Sequence, residues 1–223
     1  MSPLRLVIFD VDGTLVDSQG DILGAMEVAF AAVGRPAPAR DAILSIVGLS
    51  LDVAMARLAP DLDAAGHAEL VAQYKDAYVG ARQAGHSGPL FPGVTEVLAQ
   101  LGRRDDWLLG IATGKSRRGL TALLEAQGLT GRFVTEQVAD FHPSKPHPAM
   151  LQAALAETGV AAEDAVMVGD TSFDMDMARA AGIFAIGVSW GYHPVSALTS
   201  ADVIIDDMSA LPDVLTDRWG QGA

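Results

Sequence analysis

Two short acidic stretches offer the most chemistry in this chain. Asp10-Val11-Asp12-Gly13-Thr14 ends an apolar run near the N-terminus, and Gly169-Asp170-Thr171-Ser172-Phe173-Asp174 ends another far downstream. Each on its own reads equally well as a polar turn or a helix cap, because Asp, Thr and Gly are ordinary turn and cap residues. Their repetition in the same context says more. In an open parallel sheet, ligands bind outside the carboxyl ends of the strands, and Gly13 lets the backbone turn sharply there. If the two strands are neighbours, Asp10, Asp12, Asp170 and Asp174 share one crevice. Four like charges together are unfavourable unless a cation neutralises them. A carboxylate-only donor set, with no His or Cys in it, suits Mg²⁺ rather than zinc.

Two further stretches fit a phosphorylated ligand. Thr113-Gly114-Lys115 follows an apolar run and precedes a helical pattern, so a hydroxyl and free backbone N–H groups meet at a helix start, a seat for phosphate. His142-Pro-Ser-Lys145-Pro146-His147-Pro148 fixes a lysine among prolines. With only Lys75, Lys115 and Lys145 in the whole sequence, a lysine held in a rigid loop is a candidate partner for the acids, although a surface lysine is the plain alternative.

The elements that must position these groups follow from hydrophobic pattern. Apolar runs at 4–9, 107–112, 165–168, 183–188 and 203–205 read as buried strands. Helical stripes separate the later ones: Leu120, Leu123 and Leu124 behind a Ser116 cap; Met150, Leu151, Ala154 and Leu155 up to Gly159; Met175, Ala178 and Ala181 up to Gly182. Alternation of this kind predicts an α/β fold with a parallel sheet, Rossmann-like, carrying helices on both faces. Residues 18–87 break the rhythm. They show three helical stripes and no strand: Ile22 to Val33, Leu51 to Leu58, and Leu70 to Ala81, divided by Gly and Pro breakers. The chain is therefore expected to divide into a core of 1–17 and 88–223 and an inserted helical domain of 18–87.

Composition restricts the partners. Fifteen bases against 28 acids leave a net charge of −13, which argues against nucleic-acid binding through phosphate neutralisation. No cysteine is present, so disulfides, thiolate metal sites and thiol catalysis are excluded. The absence of an ~18-residue apolar span and of a signal-peptide layout leads to the expectation of a cytoplasmic protein without a membrane partner. Whether it is a monomer or a homodimer is not legible.

The four motifs, in this order and strand context, resemble the haloacid dehalogenase-like hydrolase superfamily: DVDGT at Asp10–Thr14, Thr113 after a strand, Lys145 before a helix, and GDTSFD at Gly169–Asp174. The insertion after the first motif is similar to that superfamily's helical cap domain. DGTLVDS, VGLSL, KPHP and the Trp190-Gly191-Tyr192 loop resemble its phosphoglycolate phosphatases. The resemblance implies Asp10 as nucleophile and Asp12 as general acid and base, with Mg²⁺ held by Asp10, the Asp12 backbone carbonyl, Asp170 and, directly or through water, Asp174. It implies Thr113 and Lys145 as catalytic holders of the phosphoryl group, and Gly13, Thr14, Gly114 and Lys115 at the substrate. The turn Gly48-Leu49-Ser50 faces the site in that family; a plain N-cap at Ser50 is the alternative.

Within the superfamily, Asp12 argues against a dehalogenase, the lack of any lysine before Lys75 against a phosphonatase, and Gln19-Gly20-Asp21 in place of a histidine against a phosphoglucomutase. An Mg²⁺-dependent phosphatase acting on a small phosphorylated metabolite, with 2-phosphoglycolate as the leading substrate, is the expectation. Pyrophosphate, nucleotide and sugar-phosphate substrates stay open, as does a non-catalytic metal- or phosphate-binding protein. Given the net charge, phosphate capture needs a local positive focus, with Arg57 and Arg117 as candidates beside Lys145. His67 and His86 are expected to face solvent, His142 and His147 to shape the lysine loop, and Tyr74 and Tyr78 to lie in the interior of the helical insertion.

Overall fold

A computed structural model describes residues 3–85 and 88–220. Six parallel strands, β1 (Arg5–Phe9), β2 (Trp107–Thr113), β3 (Thr135–Val138), β4 (Ala165–Gly169), β5 (Phe184–Val188) and β6 (Val203–Ile205), form one sheet in the order β3-β2-β1-β4-β5-β6. The chain builds β1, β2 and β3 outward in one direction and then returns to lay β4 against the other side of β1. That reversal creates a crevice between neighbouring carboxyl ends at the centre of the sheet. The registers Phe9↔Ile111 and Phe9↔Val168 bring Asp10, Thr113 and Asp170 to the same edge.

Both faces are covered. Val7, Phe9, Leu109, Ile111, Val166 and Val168 point to one side, where α5 (Val94–Leu101), α6 (Arg117–Ala126) and α9 (Leu211–Trp219) pack. Leu6, Ile8, Ala165 and Met167 point to the other, under α7 (Ala149–Thr158) and α8 (Ser172–Ala181). Alternate residues of one strand thus serve two separate cores, which is why the strands read as continuous apolar runs. Ser116 caps α6 by accepting from the Gly119 N–H, and Gly159 and Gly182 end α7 and α8 in the left-handed conformation.

The insertion contains α1 (Gln19–Ala32), α2 (Arg40–Leu44), α3 (Leu51–Leu58) and α4 (Ala64–Gln83). They bury a third apolar cluster around Met26, Phe30, Ile43, Met55 and Leu70. The two linkers to the sheet run side by side: the Asp17 N–H donates to Pro89 O, the Phe91 N–H to Leu15 O, and the Gly88 N–H to Asp21 Oδ2. No helix among the described residues is long and apolar enough to cross a membrane.

Two elements differ from the sequence pattern. Strand β3 has no apolar run: its Thr135 and Gln137 are buried, bonded to each other and to Glu157 of α7, so polar contacts replace burial of aliphatic side chains. Helix α5 was not among the stripes read above, although Val94, Val97, Leu98 and Leu101 form one, buried in the same cluster as α9.

Candidate active site

Asp10 leaves β1 at its carboxyl end and is almost wholly buried. Neither of its carboxylate oxygens has a hydrogen-bond partner. Burial pushes its pKa up to about 7, against the opposing pull of the Lys145 ammonium. Lys145 Nζ lies 3.0 Å from Asp10 Oδ1, without the alignment of a hydrogen bond, and donates to Asp174 Oδ1 at 2.6 Å. Burial works against the Lys145 charge, but Asp10 and Asp174 outweigh it and hold the ammonium above the ordinary lysine range.

Asp174 is the third residue of α8 and half of a capping box: Thr171 Oγ1 accepts from the Asp174 N–H, and the Thr171 N–H donates to Asp174 Oδ2. The cap and site readings of this motif are both realised in one residue. Asp170, just before the cap, accepts from Thr14 Oγ1 at 2.8 Å through Oδ1 and from the Tyr192 N–H at 2.9 Å through Oδ2. Its pKa is pushed well up, first by burial and then by its acidic neighbours.

Asp10, Asp170 and Asp174 can bring one oxygen each within 4.8 Å of one another. Three buried carboxylates, two of them ion-paired with the one lysine and one accepting no hydrogen bond at either oxygen, suit a hard divalent cation. The cluster can therefore hold a metal ion. The Asp12 carboxylate is not part of it. Both Asp12 oxygens accept from Lys115 Nζ, at 2.8 and 2.9 Å, and Oδ1 also accepts from Ser18 Oγ. Lys115 donates in addition to the Tyr78 hydroxyl at 3.2 Å. Burial opposes the Lys115 charge, and Asp12 and Tyr78 together raise it above the ordinary range.

A cavity of about 520 Å³ opens over Asp10 and Asp12, between the sheet edge and the insertion. Thr113, Gly114, Lys115, Gly48, Leu49 and Ser50 all line it. Gly13, Thr14, Lys145, Asp170 and Asp174 lie behind that surface; the Thr14 hydroxyl is already engaged by Asp170. The Gly48 turn sits directly on the Thr113-Gly114 loop. A Cβ on Gly114 would stand 2.5 Å from Leu49 O and 2.7 Å from Gly48 O, so only glycine permits this approach. The Ser50 N–H is already donated to Ser144 Oγ, and the Ser50 hydroxyl makes no cap bond.

Several expectations change with the geometry. Arg57 stacks over the Phe173 ring and Arg117 pairs with Glu136; neither lines the cavity, where Lys75, Arg82 and Arg118 form no ion pair among the described residues. Tyr74 and Tyr78 form cavity wall as well as insertion interior, since one helical stripe serves both. His67 is half-buried, bonded through Nε2 to Ala59 O, rather than solvent-facing. His142 pairs with Gln137 away from the cavity, and His86 lies outside the described residues.

Residues to which the motifs gave no role complete the site. Ser18 braces Asp12 and donates its N–H to the Tyr192 hydroxyl at 2.8 Å. His193, buried beside Phe173, accepts from the Ser172 N–H through Nδ1, which leaves Nε2–H to donate to Ser45 O in the insertion. Burial holds its pKa below the usual histidine value. The contacts of Tyr192 and His193 cross between distant parts of the chain, which no local pattern specifies.

A sequence model described as haloacid dehalogenase-like hydrolase matches residues 7–188. The chain is 40% identical over 209 residues to "Probable phosphatase IndB" of Dickeya dadantii, covering 92% of this chain and 90% of that protein. It is 37% identical over 213 residues to the phosphoglycolate phosphatase of Caulobacter vibrioides, covering 92% and 88%. Among solved structures, a haloacid dehalogenase-like family hydrolase from Streptococcus pneumoniae superposes with a TM-score of 0.82 at 26% identity, over 95% of this chain and 98% of that one. With the matching sequence model spanning most of its length, this chain belongs to the haloacid dehalogenase-like hydrolase family.

Proposed function

We propose that the chain is an Mg²⁺-dependent phosphatase that hydrolyses a small phosphorylated metabolite through an aspartyl-phosphate on Asp10, with residues 18–87 acting as a cap. The observation that carries this reading is Asp10 itself: a buried carboxylate whose two oxygens accept no hydrogen bond, at the base of a cavity, ion-paired with a lysine and beside two further acids.

In the first half-reaction, an Asp10 oxygen forms a bond to phosphorus while the bond from phosphorus to the ester oxygen breaks. Asp12 delivers a proton to the departing alcohol. Lys115 bridges both Asp12 oxygens, so it must release one as the phosphoryl oxygens compete for its ammonium. In the second half, Asp12 takes a proton from water as the water oxygen bonds to phosphorus and the Asp10–phosphorus bond breaks. Thr113 and the Gly114 N–H hold phosphoryl oxygens, and Lys145 opposes their charge from behind Asp10. Asp10, Asp170, Asp174 and the Asp12 backbone carbonyl would hold the Mg²⁺, which when bound neutralises charge on the phosphoryl oxygens. The insertion closes the cavity and excludes bulk water.

The names of relatives make 2-phosphoglycolate the reference substrate. Release of inorganic phosphate should require Mg²⁺, stop with EDTA and return when Mg²⁺ is restored in excess. Full activity in chelator would overturn the metal assignment, and no hydrolysis across a panel of phosphorylated metabolites would favour a non-catalytic binding protein.

A further inference from the structure

The cavity is larger and more apolar than a two-carbon leaving group requires. Even allowing about 30 Å³ per heavy atom, a whole water's share of volume, the nine heavy atoms of 2-phosphoglycolate would fill roughly half of its 520 Å³. The remainder has an apolar, aromatic stretch of wall beside its charged groups. Helix α4 turns Val71, Tyr74, Tyr78 and Val79 into it along one stripe, on which Lys75 and Arg82 also lie, and the buried Ile22 and Met26 of α1, which packs against α4, stand beside them. A glycolate carboxylate placed against these apolar side chains, away from Lys75, Arg82 and Arg118, would lose hydration without compensation.

The aromatic pair supplies direction. The Tyr74 and Tyr78 rings lie 5.8 Å apart at 31°. The Tyr78 hydroxyl is bound to Lys115, which ties that ring to the reacting end through Asp12. The Tyr74 hydroxyl has no hydrogen-bond partner among the described residues, and Tyr74 lines the cavity, so a phenolic donor is available to a ligand there. On the solvent side stand Lys75, Arg82 and Arg118, which form no ion pair among the described residues. They supply the local positive focus that a chain of net charge −13 needs to admit a phosphate.

We infer that this chamber selects phosphomonoesters whose leaving alcohol carries a ring, seated against Tyr74 and the Val71–Val79 stripe of α4, over esters of two-carbon acids. Tyr74 is then a specificity-determining residue, its face packing on the ring and its hydroxyl meeting a polar ring edge. The inference rests on the phosphatase reading for its catalytic form, and on the cavity alone for binding.

The test uses pyridoxine 5′-phosphate and uridine 5′-monophosphate as ring esters and 2-phosphoglycolate as the small one, all with Mg²⁺. Asp10→Asn, which cannot form the phosphoenzyme, reports binding by calorimetry, while the wild type reports kcat/KM. Both ring esters should bind more tightly and turn over with roughly tenfold higher kcat/KM than 2-phosphoglycolate, the order that one ring stacked on an aromatic side chain supplies. Tyr74→Ala should lower kcat/KM for the ring esters about tenfold more than for 2-phosphoglycolate, and Tyr74→Phe, which keeps the ring and the packing of α4, should fall between. Equal or better binding and turnover of 2-phosphoglycolate would overturn the inference. Ring-ester preference in binding without any hydrolysis would uphold the chamber's selectivity and overturn the phosphatase reading; failure of every ester to bind or react would overturn both.

Discussion

Gly114→Ala isolates the docking of the cap from the chemistry beneath it. The substitution keeps the Gly114 N–H and adds only a methyl group. That methyl would stand 2.5 Å from Leu49 O and 2.7 Å from Gly48 O, both backbone atoms that no rotamer change can move. To reach the 3.4 Å of ordinary contact, the Gly48 turn must retreat by about 0.9 Å. Overpacking of this kind costs about 1–3 kcal/mol. Because the clash crosses the junction of insertion and sheet, the cost falls on the closed arrangement and can be relieved by opening. A penalty of that size corresponds to roughly a 5- to 150-fold shift in a closing equilibrium. We therefore expect kcat/KM to drop within that range while the melting temperature stays near that of the wild type. Small-angle scattering should show a larger radius of gyration for the variant. Wild-type kcat/KM would refute the requirement for this contact during turnover, and a collapse in melting temperature would show that the clash is not confined to the junction.

Three further outcomes follow from the site. Lys145→Met leaves Asp10 and Asp174 without their cation and should cost about 3–5 kcal/mol in denaturant unfolding, partly recovered by Mg²⁺; an unchanged midpoint would contradict the buried pairing. Asp12→Ala should slow hydrolysis of alkyl phosphates by about 10² to 10⁴, and of p-nitrophenyl phosphate far less, because nitrophenolate departs without a proton; equal losses would contradict the acid role. Without metal, Asp10 is protonated in the folded state up to about pH 7 but ionises near 3.8 when unfolded, so its contribution to stability is full below 3.8 and is lost as pH rises through 7. Mg²⁺ binds the ionised form, so the rise in melting temperature on adding Mg²⁺ should grow between pH 5 and pH 8; a constant increment would oppose the assignment.

Five of the six strands and the acids at their ends were legible because each feature is local, whereas the order of the strands in the sheet is not. Apolar runs such as Leu6 to Phe9 announce strands buried on both faces, and Asp10 or Asp170 follows immediately. Legibility ended where a residue's role depends on what crosses from another element. Nothing near Lys115 indicates that its ammonium rests on Asp12, and nothing near Tyr78 that its hydroxyl meets Lys115. Periodicity placed Tyr74 and Tyr78 on a helical stripe but could not separate interior from cavity wall. Arg57 and Arg117 failed as phosphate attractors for the same reason: charge is written in the sequence, whereas Phe173 and Glu136 as their neighbours are not. Strand β3 was invisible because Thr135 and Gln137 satisfy each other and Glu157 instead of burying aliphatic side chains.

The central claim is that Asp10 carries the phosphoryl group during turnover. Its most direct test is to quench the enzyme in acid during steady-state hydrolysis, digest it, and locate any acyl-phosphate by mass spectrometry, with stereochemistry at phosphorus as the second reading. A phosphoryl group on the peptide containing Asp10, absent in Asp10→Asn, together with net retention of configuration, is the predicted result. Sustained turnover with no phosphorylated peptide and with inversion at phosphorus would mean that water attacks directly, and would contradict the account.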